Sequence, residues 1–400
     1  MTLRREAISL GSLSLLTRST GASIRNSTTM IDTIILSLPI EKVRTLDLIA
    51  SGVERWDMQD RTKAHEKYVK NPSLRDKASG LYFPNLTAHN RKAGPVWVRT
   101  MDIQVSAPKL LYQNNLDELV ESDFEKVVEA LADRLLRMGA VVAQQHLRDA
   151  EVRAVHYSKN VELKGGYTSQ YVIRELGKIN PNKHFDFARA RFVNDGENLY
   201  MHTRAHEFVI YDKISDLAKD KKRAIDKYQT PYQQELFKGL NRQKEILRLE
   251  IRLSQKRKLN AIFEKLGFAK NPTFHDAFSL DKSTKVINYY WDTMIAGQSA
   301  SLFVPSPTPK DLLNQVLIAR KSAKGKTAVY LAALILFARD GNGLRELRSI
   351  LAKRVDDRTW YRIVGEFRGI VADLGNVRPR DWYEQVQKGL LSYQPLHIVL

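Results

Sequence analysis

Residues 246–253 read Ile-Leu-Arg-Leu-Glu-Ile-Arg-Leu (ILRLEIRL). Side chains alternate between the two faces of a strand. Leu247, Leu249, Ile251 and Leu253 therefore turn toward a core, and Arg248, Glu250 and Arg252 turn the other way. Two upstream stretches share this character. Ile31–Leu38 (IDTIILSL) is rich in branched aliphatics and stops at Pro39. Val96–Val105 (VWVRTMDIQV) places Thr100, Asp102 and Gln104 together on one polar face.

Between these strands the periodicity changes. Leu119, Phe124, Val127, Val128, Leu131 and Leu135 recur at helical spacing and predict a helix over 116–138. Residues 150–161 predict a further strand and Thr168–Ile179 a second helix. Residues 197–212 predict a hairpin turning at Thr203-Arg204-Ala205, and the charged stretch 213–245 predicts helix with a break at Pro231. No glycine-rich phosphate loop follows any strand. Gly325-Lys326-Thr327 matches the end of a P-loop, but Arg320 stands where the first glycine belongs. This excludes a Rossmann or P-loop domain and leaves an α+β domain built on an antiparallel sheet.

The stretch Ser301–Lys310 (SLFVPSPTPK) carries three prolines and reads as a linker. Beyond it the pattern is helical. An apolar helix spans 327–340, a short one spans Leu344–Leu351, and a third, capped by Asp356 or Asp357, spans Arg358–Asp373. The last two have the layout of a helix-turn-helix, whose second helix presents Arg358, Thr359, Arg362 and Arg368. The expected domains are an extension over 1–29, a first domain over 30–300, a linker over 301–310 and a helical domain over 311–400. The extension is rich in Arg, Ser and Thr. It fits either a transit peptide or leader sequence before a working start at Met30, and the strand pattern beginning there favours the second.

Composition narrows the function classes. Sixty-four Lys and Arg against 45 Asp and Glu give a net charge of +19, which points to a polyanionic partner such as nucleic acid. The chain has no cysteine, which excludes disulfides, thiolate metal sites and a cysteine nucleophile. No apolar run approaches the roughly 20 residues of a membrane span.

The segment Glu207–Lys213 (EFVIYDK) carries the chemistry of most interest. On a strand, Tyr211 and Lys213 share a face, and an ammonium beside a phenol stabilises phenolate and helps a phosphate dock. Asp102, Glu250 and His156 are candidate ligands for a divalent cation of phosphodiester chemistry. Glu250, lying between Arg248 and Arg252, also fits a plain ion pair. His202 and His206 flank the hairpin turn on different arms and read as surface or phosphate-contacting residues.

Five segments then come in a telling order: Met30–Pro39 (MIDTIILSLP), Asp102–Leu119 (DIQVSAPKLLYQNNLDEL), the strand ending at Val209–Lys213, Leu247–Leu253 and Arg378–Tyr383 (RPRDWY). Together they resemble the gene II/X family of replication initiators of filamentous phages and related plasmids, over nearly the whole chain from Met30 to about Tyr383. The resemblance implies an antiparallel-sheet nicking domain with packed helices, followed by a helical DNA-binding domain. It implies a nickase that cuts one strand at an origin and rejoins it, starting and ending rolling-circle replication. Tyr211 takes the nucleophile's position, Lys213 its companion's, Glu250 the acid of the late strand and Asp102 the early acid. Where the family carries Arg-Ile-Asp, this chain has Ala154-Val155-His156, so His156 falls at that ligand position. Mg²⁺ or Mn²⁺ is the implied cofactor. Lys109, Arg248, Arg252, Arg358 and Arg362 are the expected DNA contacts. The implied partners are origin DNA, double- and single-stranded, with a host helicase and polymerase, in the cytoplasm of a bacterial host; no membrane or small-molecule substrate is expected.

Three other readings compete. A non-enzymatic initiator would bind origin repeats and recruit host proteins, needing the charge and the helix-turn-helix but no nucleophile. A tyrosine recombinase needs His-x-x-Arg, and His206 is followed at the third position by Val209. An RNA-binding sheet needs paired aromatics, which are not evident here.

Overall fold

A computed structural model describes residues 31–45, 65–179, 191–193, 198–202, 205–218, 230–239, 244–297, 302, 308–375, 381–392 and 394–397. The 1–29 extension, Met30 and most of the proline-rich 301–310 stretch lie outside the described residues.

The chain runs β1 (Ile31–Pro39), β2 (Val43–Thr45), β3 (His65–Lys70), α1 (Leu74–Ala78), β4 (Asn85–Ala93), β5 (Val96–Ser106), α2 (Ala107–Tyr112) and α3 (Phe124–Arg137). It continues through β6 (Ala140–Val142), α4 (Gln144–Arg148), β7 (Glu151–Leu163), α5 (Ser169–Gly177), β8 (Arg191–Val193), β9 (Asn198–His202), β10 (His206–Asp212), α6 (Lys213–Ala218) and α7 (Pro231–Gly239). Then come β11 (Glu245–Leu253), α8 (Lys256–Lys265), α9 (Phe274–Ala277) and α10 (Leu280–Met294). Nine strands form one sheet in the order β3-β4-β5-β1-β7-β11-β10-β9-β8. The pairings β1–β5, β1–β7, β7–β11, β10–β11 and β9–β10 are antiparallel, as are those at both edges. The α+β class and the antiparallel sheet are as the strand patterns predict.

The alternation in ILRLEIRL decides which side of the sheet is covered. Leu247, Leu249, Ile251 and Leu253 are fully buried against helices of a single large core. That core takes Val127, Val128 and Leu131 from α3, Val172 and Ile173 from α5, Leu259 and Phe263 from α8, and Val286 and Ile287 from α10. Burying one such aliphatic side chain contributes about 1.5–3 kcal/mol, so this layer dominates the stability of the unit. The opposite face keeps the polar residues of the same strands. There Ile246 joins Leu116, Leu217 of α6 and Leu236 of α7 in a small separate cluster, which sets α6 and α7 over one end of that face.

The helix predicted over 116–138 begins only at Phe124. The Asn114 side-chain carbonyl accepts the N–H groups of Leu116 and Asp117, at 2.9 and 3.0 Å, and holds the chain in a turn. That local bond competes with helix, as Asn side chains commonly do.

The helices α11 (Pro309–Ala319), α12 (Gly325–Arg339), α13 (Leu344–Leu351) and α14 (Asp357–Leu374) enclose a second core around Leu331, Ile335, Trp360, Val364 and Phe367. Asp356 caps α14 by accepting the Thr359 N–H at 2.7 Å, and Gly375 ends it at φ +67°, a left-handed conformation glycine adopts freely. The expected helical domain over 311–400 needs a correction. The last helix, α15 (Asp381–Leu391), leaves this bundle and packs on the sheet: Trp382, Tyr383, Val386 and Leu390 are buried in the first core. Gly389 permits the approach, since a Cβ there would meet Val161 Cγ2 at 2.8 Å. The chain beyond α15 stays with the sheet too, where Leu396 N–H donates to buried Glu118 at 2.9 Å. No helix among the described residues is long and apolar enough to cross a membrane.

Candidate active site

The face of the sheet opposite the large core gathers polar side chains from neighbouring strands. Tyr211 of β10 stands opposite Arg248 of β11, which stands opposite Asn160 of β7; Arg252 stands opposite both Glu207 and His156. Directly opposed residues share a face, so Tyr211, Arg248, Glu250, Arg252, His156 and Glu207 all emerge on one side.

At its centre the Tyr211 phenol donates to Glu250 Oε2 at 3.0 Å. Arg252 Nε donates to Glu250 Oε1 at 2.8 Å, and Arg252 Nη1 reaches Glu207 at 3.1 Å. His156 Nδ1 lies 3.5 Å from Glu250 Oε1. Burial opposes the charge of Glu250, but Arg252 and His156 outweigh it and hold the carboxyl well below the usual range. Glu250 is thus a carboxylate aimed at a phenol. Tyr211 is only 7% exposed, and burial raises its pKa well above that of an ordinary phenol, with Arg248 pulling the other way. The phenol is therefore protonated at rest, and any nucleophilic role requires its proton to leave as it reacts.

Lys213 departs from the strand geometry expected of it. β10 ends at Asp212, whose carboxylate accepts the N–H groups of Ile214 and Ser215, each at 3.0 Å, and turns the chain into α6. Lys213 is the first residue of that helix. It is almost fully buried, yet its ammonium still lies 5.8 Å from the centre of the Tyr211 ring.

Arg248 and Lys109, two of the expected DNA contacts, are buried instead. Arg248 is 2% exposed; it pairs with Asp32 at 2.9 Å and donates to Ser158 Oγ and the Asn115 carbonyl, both at 2.6 Å. A guanidinium with that many fixed partners ties β11 to β7 and the 115 loop rather than meeting solvent. Lys109 lies buried in α2, over the ring of Tyr82. Arg252 keeps about a quarter of its side chain exposed at the mouth of the site. Arg358 and Arg362 are exposed on α14.

The three expected metal ligands do not meet. His156 and Glu250 are neighbours, but Asp102 of β5 is three strands from β11, about 14 Å across the sheet. Its level matches Glu151 of β7 whereas that of Glu250 matches Ser158, which adds some 20 Å along the strands. Asp102 instead accepts from Ser37 Oγ at 2.8 Å and from His89 Nε2 at 2.9 Å, and pairs with Arg153. The oxygens of both carboxylates are thus taken up by arginine and other protein donors, and the set Asp102, Glu250 and His156 does not fit one divalent cation. Among the described residues, no group of three or more His, Asp or Glu is placed to hold a metal.

His206 also differs from expectation. It faces the core, with Nδ1 2.6 Å from the Tyr290 hydroxyl, and burial lowers its pKa to about 4. Sequence reasoning overlooked Asp32, His89 and Arg153. Asp32 was visible as the one acid in an aliphatic strand. β4 carries the weaker signal of Thr87, His89 and Arg91 alternating with Leu86, Ala88 and Asn90.

No family model matches the chain, no curated protein matches it, and no solved structure matches it.

Proposed function

We propose that this chain initiates rolling-circle replication by nicking one DNA strand through Tyr211, as the gene II/X proteins it resembles do. The observation that carries the reading is the hydrogen bond from the Tyr211 phenol to the ionised, buried Glu250 on the polar face of a basic protein's sheet.

In this reading the Tyr211 oxygen attacks a phosphorus atom of the strand and its proton passes to Glu250. The P–O bond to the neighbouring 3′ oxygen breaks, and that oxygen takes a proton from solvent. The products are a 5′-phosphotyrosine and a free 3′-hydroxyl for a host polymerase. Rejoining runs the other way: a 3′-hydroxyl attacks the phosphotyrosine, and the departing Tyr211 recovers its proton from Glu250. The phosphodiester energy is kept in the tyrosyl linkage. Arg252 keeps Glu250 ionised until the proton arrives, and Lys213 offsets charge as the phenol becomes an ester oxygen. The α13–α14 pair, with Arg358 and Arg362 outward, would hold duplex origin DNA as a helix-turn-helix does.

The burial of Tyr211 favours one second reading, an initiator that binds origin DNA and recruits the host helicase without cutting. One experiment separates the two. The protein is incubated with end-labelled supercoiled plasmid carrying its own replicon, with Mg²⁺ present, and denatured. A labelled protein–DNA adduct that is lost in Tyr211→Phe supports the nickase. Origin binding with neither nick nor adduct leaves the recruiter.

A further inference from the structure

The polar face carries a second charged cluster far from Tyr211, and its charges do not balance. Asp102, His89 and Thr100 face the same side: His89 stands opposite Thr100, and Asp102 opposite Ser37 and Thr87. Arg91 lies two residues beyond His89 on β4 and so shares its face. Two carboxylates lie there, and both are consumed. Glu151, opposite Ser37, pairs with Lys256. The oxygens of Asp102 accept from Ser37, His89 and Arg153, so its charge is matched by Arg153. Burial, opposed by Asp102, lowers the pKa of His89 and favours its neutral form. Arg91 is half-buried and has no ion-pair partner among the described residues; burial first, then repulsion from Arg153, disfavours its charge. With Glu151 matched by Lys256 and Asp102 by Arg153, the Arg91 guanidinium is the cation left in excess. Beside it the Thr100 hydroxyl is buried without a hydrogen-bond partner. A cation kept in excess beside an orphaned hydroxyl is the donor set of an anion site.

We propose that Arg91, Arg153 and Thr100 form a phosphate-binding site, which grips the DNA strand several nucleotides from the bond that Tyr211 attacks. Asp102 orients Arg153 for it. The occupant is a backbone phosphate of single-stranded DNA, because the site lies on the same face of the sheet as Tyr211 and a strand laid along that face reaches both. The identity of the strand rests on the reading of Tyr211 as nucleophile.

The test is binding of a fluorescent single-stranded origin oligonucleotide to the full chain, measured by anisotropy from low to moderate salt. Arg91→Ala is the first variant, since it removes the unpaired charge and leaves the bonds to Asp102 intact. Its affinity should fall about tenfold at low salt, and the slope of log K against log salt should shrink by about 0.7, one phosphate on a single strand. Thr100→Val should weaken binding about threefold, as loss of one hydrogen bond does. An oligonucleotide too short to reach beyond Tyr211 should bind the parent and both variants alike. Parental affinity and slope in both variants would overturn the site. Thermal stabilisation of the parent by inorganic phosphate, abolished in Arg91→Ala while oligonucleotide binding stays parental, would make it a free-phosphate site and overturn the strand assignment. If the parent forms no adduct yet Arg91→Ala loses oligonucleotide binding, the phosphate site stands and the nickase reading falls. If adduct forms normally and binding is unaffected, the phosphate site alone falls.

Discussion

The Tyr211 hydroxyl and the Glu250 carboxylate meet at 3.0 Å across neighbouring strands, both buried, the one protonated and the other ionised. The phenol's proton thus has its acceptor in place before any substrate binds. The acceptor is in turn held by Arg252, on its own strand, and flanked by His156 on the next.

Tyr211→Phe keeps the ring and removes only this bond. Stability should fall by about 1 kcal/mol, the net worth of one hydrogen bond, while nicking and adduct formation disappear. Lys213→Met preserves buried volume and removes the charge near the ring; it should slow nicking without abolishing it. The exposed Tyr232→Phe should cleave like the parent. An adduct formed by Tyr211→Phe would remove Tyr211 as the nucleophile.

The Glu250–Arg252 pair should be visible in the acid limb of stability. Glu250 titrates well below a free glutamate in the folded state. Its contribution is therefore complete above the unfolded value of about 4.3 and is lost as pH falls through the lower folded one. Arg252→Ala leaves a buried carboxylate without its main partner. Denaturant midpoints at pH 7 should show a loss of about 2 kcal/mol, below the usual cost of breaking a buried pair because Arg252 is partly exposed. An unchanged midpoint would mean that solvent already screens the pair.

His206 makes a separate test on the core side, with the same sign but a higher pH window. Its folded pKa of about 4 lies below that of a free histidine. The unfolded chain thus takes up a proton first on acidification. Stability should fall from about pH 6.5 downward and level near pH 4, by about 3 kcal/mol in all. His206→Gln, which does not titrate and can still hydrogen-bond Tyr290, should flatten that part of the curve. The same slope in both proteins would assign it to other groups.

Arg358 and Arg362 project from α14, away from the sheet's core. Replacing both by alanine should weaken binding of duplex origin DNA and leave cleavage of a short single-stranded origin oligonucleotide nearly unchanged. Equal loss of both activities would bring α14 into the cleavage step itself.

The return of α15 to the sheet predicts that the last helix is structural. Gly389→Ala drives a methyl into Val161 and should cost about 1–3 kcal/mol, the range for overpacking a filled core. Ending the chain after Gly375 uncovers the surface under Trp382 and Val386 and should leave an insoluble product. A soluble, cooperative unfolder of that length would show that the sheet unit does not need α15.

The sequence by itself determined the strands and their faces. In ILRLEIRL the period of two left no other way to bury four aliphatics, and Leu247, Leu249, Ile251 and Leu253 lie in the core as that pattern requires. The same alternation placed Glu250 and Asp102 on polar faces before any pairing was known. Helix ends were equally local, since Asp356 and Gly375 mark the limits of α14 with chemistry their neighbours supply. Which polar side chain meets which was decided only in three dimensions. Asp102 and Glu250 look alike along the chain, yet the strand order sets β1 and β7 between their strands and gives each carboxylate its own arginine. Lys213 left the strand because the Asp212 carboxylate caps a helix there, and α15 left its neighbours because β7 offered an apolar surface that they did not. Periodicity reports the environment a side chain needs; register and strand order, set by contacts far apart in sequence, determine which partner supplies it.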